Sequence, residues 1–295
     1  MQPSFVPAAD EPRIYVIDGL FNASECAALM ERAAPRLEAA SVQWSGGRSS
    51  LSNKRREAST AMLDFDAVTA TWRERMARQA MLPATHAEGL QVTRYASDGS
   101  GQRYELHHDS KMEVGRLASV IVFLTDVHKG GELLFPWARP LETRTASIID
   151  GVEPWAGRPT SELPQLFHEH QGFPPIEPYC NDALAGSLKI APRIGRAVVF
   201  YNHAPDLKIH GGEALHGGCP PLSEDKWIAQ TWVRWYKVDE KGKQTHGFQG
   251  NELFTRLLGS NELAWRLPVA GPDPPGSPKP PARKKKKKTR MGRKG

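Results

Sequence analysis

The sequence contains little cysteine. Its 295 residues include three, Cys26, Cys180 and Cys219, and no two of them form a Cys-x-x-Cys pair. A zinc ribbon and a multi-disulfide scaffold are therefore excluded, because both need more cysteines. At most one disulfide can form, and the sequence does not indicate which two cysteines would pair. A chain of this length with 39% hydrophobic residues can instead bury one substantial core.

Long apolar runs are also missing. No stretch approaches the roughly 18 consecutive apolar residues of a transmembrane helix. The first twenty residues lack the basic and then apolar pattern of a secretory signal. We therefore predict that the protein has no membrane span and resides in the cytoplasm or nucleus.

Acidic residues are absent from the C-terminal segment. From Lys279 onward the chain carries ten basic residues and no acidic one. The rest has 29 basic and 33 acidic residues, so the net charge of +6 becomes about −4 without this tail. Contact with a polyanion is therefore a hypothesis for the tail alone. The acidic body argues against a groove that binds nucleic acid.

Short strand-like runs dominate the middle of the chain. They include "LQVTRY", "LASVIVFL", "RAVVFY" and "WIAQTWVRWY", and clusters of Gly, Pro, Asn and Asp separate them. Two helical patterns precede them, one from Asn22 and one over residues 66–82. This order is typical of an antiparallel sandwich or jelly roll. We therefore predict a mainly β fold with flanking helices (α+β).

Changes in composition suggest how the chain is divided. Residues 137–186 contain seven prolines and no sustained periodicity, which is typical of a functional loop, a lid or a surface insertion. The Pro-rich and Lys-rich end favours disorder. The predicted organisation is a flexible lead-in (1–12), one domain (13–240) with an insertion (137–186), a short helical extension (241–270) and a disordered basic tail (271–295).

The stretch "YELHHDSKM" contains a candidate pair of metal ligands. On an extended chain His107 and Asp109 share one face, while His108 points to the other. An imidazole and a carboxylate supply two of the three ligands of a non-haem iron(II) site, provided that a second histidine joins them. His216 is the candidate, because it precedes two glycines that allow a sharp turn near a strand. The segment "HEH" at 168–170 is interpreted as a polar loop.

Lys226 is a candidate anion ligand. It follows His216 by ten residues, and on a strand it would share one face with Ile228, Gln230 and Trp232. A lysine that points into a barrel is unfavourable unless it meets an anion. The distal carboxylate of 2-oxoglutarate would be such an anion.

Four segments together resemble the prolyl 4-hydroxylase alpha-subunit family, in particular its plant and algal members. They are "GQRYELHHD", "VIVFLTDVHKGGELLFP", "LKIAPRIGRAVVFYN" and "LHGGCPPLSEDKW". The ordered combination of His-x-Asp, Gly-Gly-x-x-x-Phe-Pro, and His with Lys ten residues later is strongly specific. The resemblance covers roughly residues 13–237 and implies a double-stranded β-helix (jelly-roll) core with N-terminal supporting helices.

The resemblance also implies a set of site residues. A metal triad would hold Fe(II), Lys226 would bind the far carboxylate of 2-oxoglutarate, and Tyr95 would add a hydrogen bond to it. Three further residues match positions that line a peptide groove. The implied metal ligands are His107, Asp109 and His216, and the implied groove residues are Tyr104, Arg116 and Trp232.

Three features depart from the family pattern. Leu133 stands where the family has threonine, Thr231 stands where it has lysine, and "ASDGSGQ" is three residues longer than the usual turn. None of these changes affects the implied iron ligands. They bear on the choice of substrate and the affinity for 2-oxoglutarate.

The implied activity is hydroxylation of proline in Pro-rich or collagen-like peptides. O2 and 2-oxoglutarate would be consumed, succinate and CO2 released, and L-ascorbate would keep the iron ferrous. The alternatives are an oxygenase that acts on another protein residue or on nucleic acid, and a non-catalytic peptide-binding module. Because family members commonly work in the secretory pathway, the endoplasmic reticulum lumen is the alternative location.

Overall fold

A computed structural model describes most of the chain up to residue 239. The described ranges are 4–40, 42–43, 49–50, 56–110, 115–139, 150–152, 157–169, 173–181, 183–184, 186–204 and 210–239. The predicted helical extension (241–270) and disordered tail (271–295) lie outside them.

The fold is built from two antiparallel sheets that face each other, which confirms the predicted jelly roll. The large sheet has the order β1-β2-β12-β9-β14-β7-β6-β3, and the small sheet has the order β11-β10-β13-β8. A separate short hairpin pairs β4 with β5. The strands are β1 (Ser4–Ala9), β2 (Ile14–Asp18), β3 (Glu38–Ala39), β4 (Val42–Gln43), β5 (Ser49–Ser50), β6 (Ser59–Met62), β7 (Gln91–Tyr95), β8 (Tyr104–His107), β9 (Arg116–Phe123), β10 (Leu133–Phe135), β11 (Leu188–Ile190), β12 (Ala197–Tyr201), β13 (His216–Gly218) and β14 (Lys226–Arg234).

Two N-terminal helices, α1 (Ala23–Ala33) and α2 (Ala67–Gln79), support the large sheet. The side chains of Asn22 and Asp66 cap them by accepting hydrogen bonds from backbone N–H groups of the first turn. The α-helix α1 ends before Pro35, whereas the sequence pattern from Asn22 suggested a longer helix. Proline removes a backbone donor and stops the helix in a short 3₁₀ turn. No helix in the described ranges is long and apolar enough to cross a membrane.

The interior between the two sheets is apolar and positions the site. Ile121 and Phe123 of β9 and Phe200 of β12 point inward from the large sheet. Leu133 and Phe135 of β10 meet them from the small sheet. The opposite face of the large sheet packs on both helices, so β9 is buried on both sides. Close packing on both faces makes β9 a rigid support for the interior.

Residues 4–9 form a strand in the segment for which the sequence suggested a flexible lead-in. They form β1, an edge strand in register with β2, and bury Ala8 and Ala9 in the core between the sheets. Pro7 weakened the strand signal in the sequence. An edge strand tolerates proline because one side of it makes no ladder hydrogen bonds.

The described part of the insertion packs on the outer face of the small sheet. It contains α3 (Leu163–Glu169) and α4 (Glu177–Cys180), which the sequence did not predict. Trp137 is fully buried there, and its Nε1 donates to Glu162 Oε1 at 2.7 Å. The backbone N–H of Ile176 donates to Glu105 Oε2 at 2.8 Å. These contacts attach the described part of the insertion to the small sheet.

One disulfide links the insertion to the small sheet. Cys180, at the end of α4, is bonded to Cys219, directly after β13. The sequence left the pairing open, and Cys26 is buried and unpaired. The bond closes a loop across a sequence separation of 39 residues.

We predict that the disulfide stabilises the fold by restricting the unfolded chain. Cys180→Ser should lower the free energy of unfolding by about 2–4 kcal/mol. Cys219→Ser should have a similar effect, and the double variant should lose little more, because the same bond is missing in all three. Urea denaturation measures these values. Additive losses, or three reactive thiols in the unreduced denatured protein, would contradict the pairing.

Candidate metal centre

The pairing of two strands of the small sheet brings the predicted metal ligands together. His216 begins β13 and lies opposite His107, the last residue of β8. Asp109 follows β8 by two residues. The two glycines after His216 belong to β13, not to the sharp turn that we expected. Gly217 allows close approach of the strands, since a Cβ there would lie 2.8 Å from the carbonyl oxygen of Tyr104.

The three side chains converge on one point. His107 Nε2 lies 3.5 Å from Asp109 Oδ1, and His216 Nε2 lies 3.5 Å from Asp109 Oδ2. One ligand atom from each residue lies within 4.8 Å of the other two. His108 is not part of this group, and its ring contacts Phe173 edge-on at 5.7 Å.

Both histidine rings are oriented by backbone carbonyl groups. The Nδ1 atom of His107 lies 2.8 Å from the carbonyl oxygen of Glu105, and that of His216 lies 3.0 Å from the carbonyl oxygen of Ala214. A carbonyl only accepts, so Nδ1 carries the proton in each ring. The Nε2 lone pairs then face Asp109, as metal binding requires.

The charge states of the cluster favour a cation. Burial and the neighbouring His216 lower the pKa of His107 to about 4, so its imidazole is neutral at physiological pH. Burial alone would raise the pKa of Asp109, but the two facing histidines hold it well below its usual value. The site thus offers a neutral imidazole from His107 and a negative carboxylate from Asp109, beside the imidazole of His216.

Asp109 is also held from behind by a hydrogen-bond chain. Ser119 Oγ donates to Asp109 Oδ2 at 2.6 Å, and Asn202 Nδ2 donates to Ser119 Oγ at 3.0 Å. The sequence analysis missed Ser119. The pattern that could have indicated Ser119 is its position on β9, where a polar residue shares the inward face with Ile121 and Phe123.

The donor set fits a ferrous ion. Two imidazole nitrogens and one carboxylate are the donor set of non-haem Fe(II) oxygenases, and His107, Asp109 and His216 would supply it. The hydrogen-bonded Nδ1 atoms and the bond from Ser119 to Asp109 supply the outer support that metal ligands usually have.

Lys226 lies deep in the same cavity. It is 2% exposed, and its Nζ donates to the carbonyl oxygen of Cys219 at 2.8 Å. It lies opposite Tyr95 in the sheet, with Nζ 4.4 Å from the centre of the tyrosine ring. Burial lowers the pKa of Lys226 to about 7. An anion that enters this cavity would restore the charged form.

The cavity runs from the triad to Lys226. Leu133 lines it where the family has threonine, so an apolar wall replaces a hydroxyl near the lysine. Gln230 lines it as well, two residues before Trp232 on the inward face of β14. The lining residues are Tyr95, Tyr104, His107, Asp109, Ile121, Phe123, Glu132, Leu133, His216, Gly217, Gly218, Lys226, Ile228 and Gln230.

The three predicted groove residues lie beside the triad. The ring of Tyr104 stacks on His107 with 3.6 Å between ring centres. The guanidinium of Arg116 lies 3.7 Å from the ring centre of Trp232. Arg116 Nη1 also points at the carbonyl oxygen of Asp109, 3.5 Å away.

Thr231 and Glu88 lie next to these groove residues and make hydrogen bonds there. Thr231 faces away from the cavity, and its hydroxyl donates to the backbone carbonyl of Glu88 at 2.8 Å. The side chain of Glu88 accepts hydrogen bonds from Arg116, a role that sequence reasoning missed. Glu88 lies outside any regular strand, so no pattern indicated which way it would point.

Comparison with known proteins agrees with this geometry. Residues 90–234 match the 2OG-Fe(II) oxygenase superfamily and contain all three triad residues as well as Lys226. The match covers just under half of the chain. Together with the triad and Lys226, this similarity identifies an Fe(II)- and 2-oxoglutarate-dependent dioxygenase.

Among the members of this class, the chain is similar to prolyl 4-hydroxylases. It is 29% identical over 232 residues to the probable prolyl 4-hydroxylase 3 of Arabidopsis thaliana, covering 76% of this chain and 69% of that protein. It is 27% identical to prolyl 4-hydroxylase 2 of the same plant, covering 76% and 68%. A solved viral collagen prolyl hydroxylase from Paramecium Bursaria Chlorella virus-1 shares 20% identity, with coverage of 77% and 98% and a TM-score of 0.45.

We predict that removal of either triad histidine abolishes metal binding. His107→Ala and His216→Ala should each weaken Co(II) binding more than about 100-fold, because loss of outer-shell partners alone costs 10–100-fold. Titration monitored by visible absorption measures the affinity. The matched control is His108→Ala, which should bind Co(II) like the wild type. Loss of binding in that variant and retention in His107→Ala would overturn the assignment.

We predict that the affinity for 2-oxoglutarate falls as the pH rises above about 7. The pKa of Lys226 is lowered to about 7, so the unoccupied protein holds a charged lysine below that pH and a neutral one above it. The KM for 2-oxoglutarate should rise by up to about tenfold per pH unit between pH 7.5 and 9. Lys226→Arg should flatten this rise, because arginine stays charged. An unchanged slope in that variant would contradict the role of Lys226.

Proposed function

We propose that the protein hydroxylates prolyl residues in peptides, with O2 and 2-oxoglutarate as co-substrates and L-ascorbate as the reductant of the iron. One observation carries this proposal: the His107–Asp109–His216 cluster and Lys226 share one cavity, and aromatic and guanidinium side chains border it. The similarity to plant prolyl 4-hydroxylases supports the choice of substrate.

His107, Asp109 and His216 would hold the iron in this proposal. When bound, Fe(II) supplies the oxidative chemistry that couples decarboxylation of 2-oxoglutarate to oxygen insertion into a C–H bond. The protein holds each Nε2 lone pair in place through the Nδ1 hydrogen bonds and excludes water with the inward apolar residues of β9 and β10.

Lys226 would position the co-substrate. Its buried ammonium group can pair with the far carboxylate of 2-oxoglutarate, and this places the keto-acid end toward the triad. The hydroxyl of Tyr95 would add a hydrogen bond to the same carboxylate. Both residues reach one end of the cavity because they lie opposite each other on β14 and β7.

A peptide would bind along the rim formed by Tyr104, Arg116 and Trp232. Proline-rich peptides adopt a polyproline II helix, which has little conformational entropy to lose and binds to aromatic surfaces. The stacked Arg116 and Trp232 offer such a surface together with donors for peptide carbonyls. This rim distinguishes the proposal from a pure small-molecule oxygenase.

The compartment is part of the proposal. Disulfides persist in oxidising compartments and are rare in the cytosol. The Cys180–Cys219 bond therefore favours the endoplasmic reticulum lumen over the cytoplasmic or nuclear location that we first expected. Contact between the basic tail and a polyanion stays a prediction.

We predict that the protein with Fe(II), 2-oxoglutarate and ascorbate adds one oxygen to proline in poly-proline or collagen-like peptides and releases succinate. Trp232→Ala should raise the KM for peptide about tenfold, equivalent to about 1.4 kcal/mol of lost binding. Trp227→Ala is the matched control, since Trp227 lies on the opposite face of β14 and packs on the helical side. Mass spectrometry and a succinate assay measure both products.

The outcome separates the alternatives. Coupled succinate release with a non-proline substrate, and no oxygen on any proline peptide, would retain the oxygenase class and overturn the prolyl assignment. Metal binding without succinate release on any substrate would support a non-catalytic binding module.

A further inference from the structure

A cluster of three charged side chains lies at the rim beside Trp232. Glu88 accepts two hydrogen bonds from Arg116, from Nε at 2.7 Å and from Nη2 at 2.9 Å. It accepts a third from Arg234 Nε at 2.7 Å. The side-chain exposures are 12% for Glu88, 22% for Arg116 and 18% for Arg234, so the cluster is partly buried but reachable from solvent.

The backbone holds this cluster against the groove. The N–H of Glu88 donates to the carbonyl oxygen of Trp232 at 2.8 Å, and Thr231 Oγ1 donates to the carbonyl oxygen of Glu88 at 2.8 Å. Arg116 in turn stacks on the Trp232 ring and reaches the carbonyl oxygen of Asp109. The guanidinium group of Arg116 is therefore fixed close to the metal centre, and Glu88 holds Arg234 beside Arg116.

The cluster has one positive charge more than its carboxylate can neutralise. Within the described ranges, no carboxylate other than Glu88 pairs with Arg116 or Arg234. Arg234 Nη1 donates to the hydroxyl of Tyr236, and its Nη2 donates to none of the described residues.

Among the described residues, the neighbouring groups do not remove this surplus. The Nδ1 atom of His86 lies 3.1 Å from the carbonyl oxygen of Arg234 and can donate a hydrogen bond to it. Burial lowers the pKa of His86, so this imidazole is neutral at physiological pH. Lys237 lies near His86 and has the same sign as the arginines. The carboxylate of Asp109 is directed at the two histidines of the triad. A partly desolvated guanidinium without a full counter-charge is a site where an anion gains binding energy.

We propose that the Arg116–Glu88–Arg234 cluster selects peptides that carry an acidic side chain next to the target proline. This inference rests on the proposed prolyl hydroxylation and specifies its substrate class. Glu88 keeps both guanidiniums in place, and Arg234 supplies the donor that the peptide carboxylate uses. A peptide with lysine at the same position would be repelled by the surplus charge.

The test compares proline peptides that differ only in one flanking residue, Glu, Gln or Lys, placed in turn on each side of the proline. Binding is measured by fluorescence anisotropy with protein loaded with Mn(II) and 2-oxoglutarate, and hydroxylation by mass spectrometry. At the preferred position the wild type should favour Glu over Gln about three- to fivefold, the size expected for a partly exposed ion pair. The preference should shrink in high salt.

Arg234→Gln should reduce the ratio of Glu-peptide to Gln-peptide affinity to about one, and Arg234→Lys should retain part of it because the charge remains. The matched control is Arg94→Gln. Arg94 lies on the neighbouring strand β7 and pairs with Asp225, so its removal should leave the ratio unchanged. Both affinities in the ratio are measured on the same variant, so a general loss of stability lowers both and leaves the ratio unchanged.

A wild-type ratio near one at every position, or a ratio that persists in Arg234→Gln, overturns the inference. Its failure is distinguishable from failure of the proposed function. If acidic peptides bind preferentially through Arg234 but no proline is hydroxylated, the cluster stands and the prolyl assignment fails. If proline is hydroxylated without any preference for Glu, the prolyl assignment stands and the role of the cluster fails.

Discussion

The antiparallel pairing of β13 with β8 is the constraint on which the rest of the site depends. It places His216 opposite His107 although the two are distant in sequence, and Asp109 then completes the cluster. The pairing is close because Gly217 has no side chain to separate the strands. Register in a sheet is discrete, and a slip of one residue would turn His216 to the outer face.

Burial strengthens the interactions of the charged groups in this site and also requires that each of them has a partner. A carboxylate, a lysine and two imidazoles share one apolar interior, where an unpaired charge is unfavourable. The protein meets that demand with specific partners: Ser119 and the histidines for Asp109, and the carbonyl oxygen of Cys219 for Lys226. The lowered pKa of Lys226 indicates that its compensation is incomplete without an anionic ligand.

The outer layers fix the small sheet in place. The large sheet rests on α1 and α2, whereas the small sheet is backed by the insertion through Trp137, Ile176 and the Cys180–Cys219 bond. That bond ends at Cys219, whose carbonyl accepts from Lys226. The insertion therefore supports the lysine end of the cavity indirectly.

The sequence by itself determined the β-rich fold, the two supporting helices, the His-x-Asp pair and the two further candidates His216 and Lys226. These features depend on local periodicity and on the spacing of motifs. On a strand, side chains alternate between the two faces of the sheet, so spacing along the chain indicates which residues share a face. It did not determine the edge strand at 4–9, the helices of the insertion or the disulfide, since each is stabilised by contacts distant in sequence. Only the tertiary structure decided that Ser119 holds Asp109 and that Glu88 bridges Arg116 and Arg234. The physical reason is that a hydrogen bond between strands depends on register and direction, which no single segment of the chain contains.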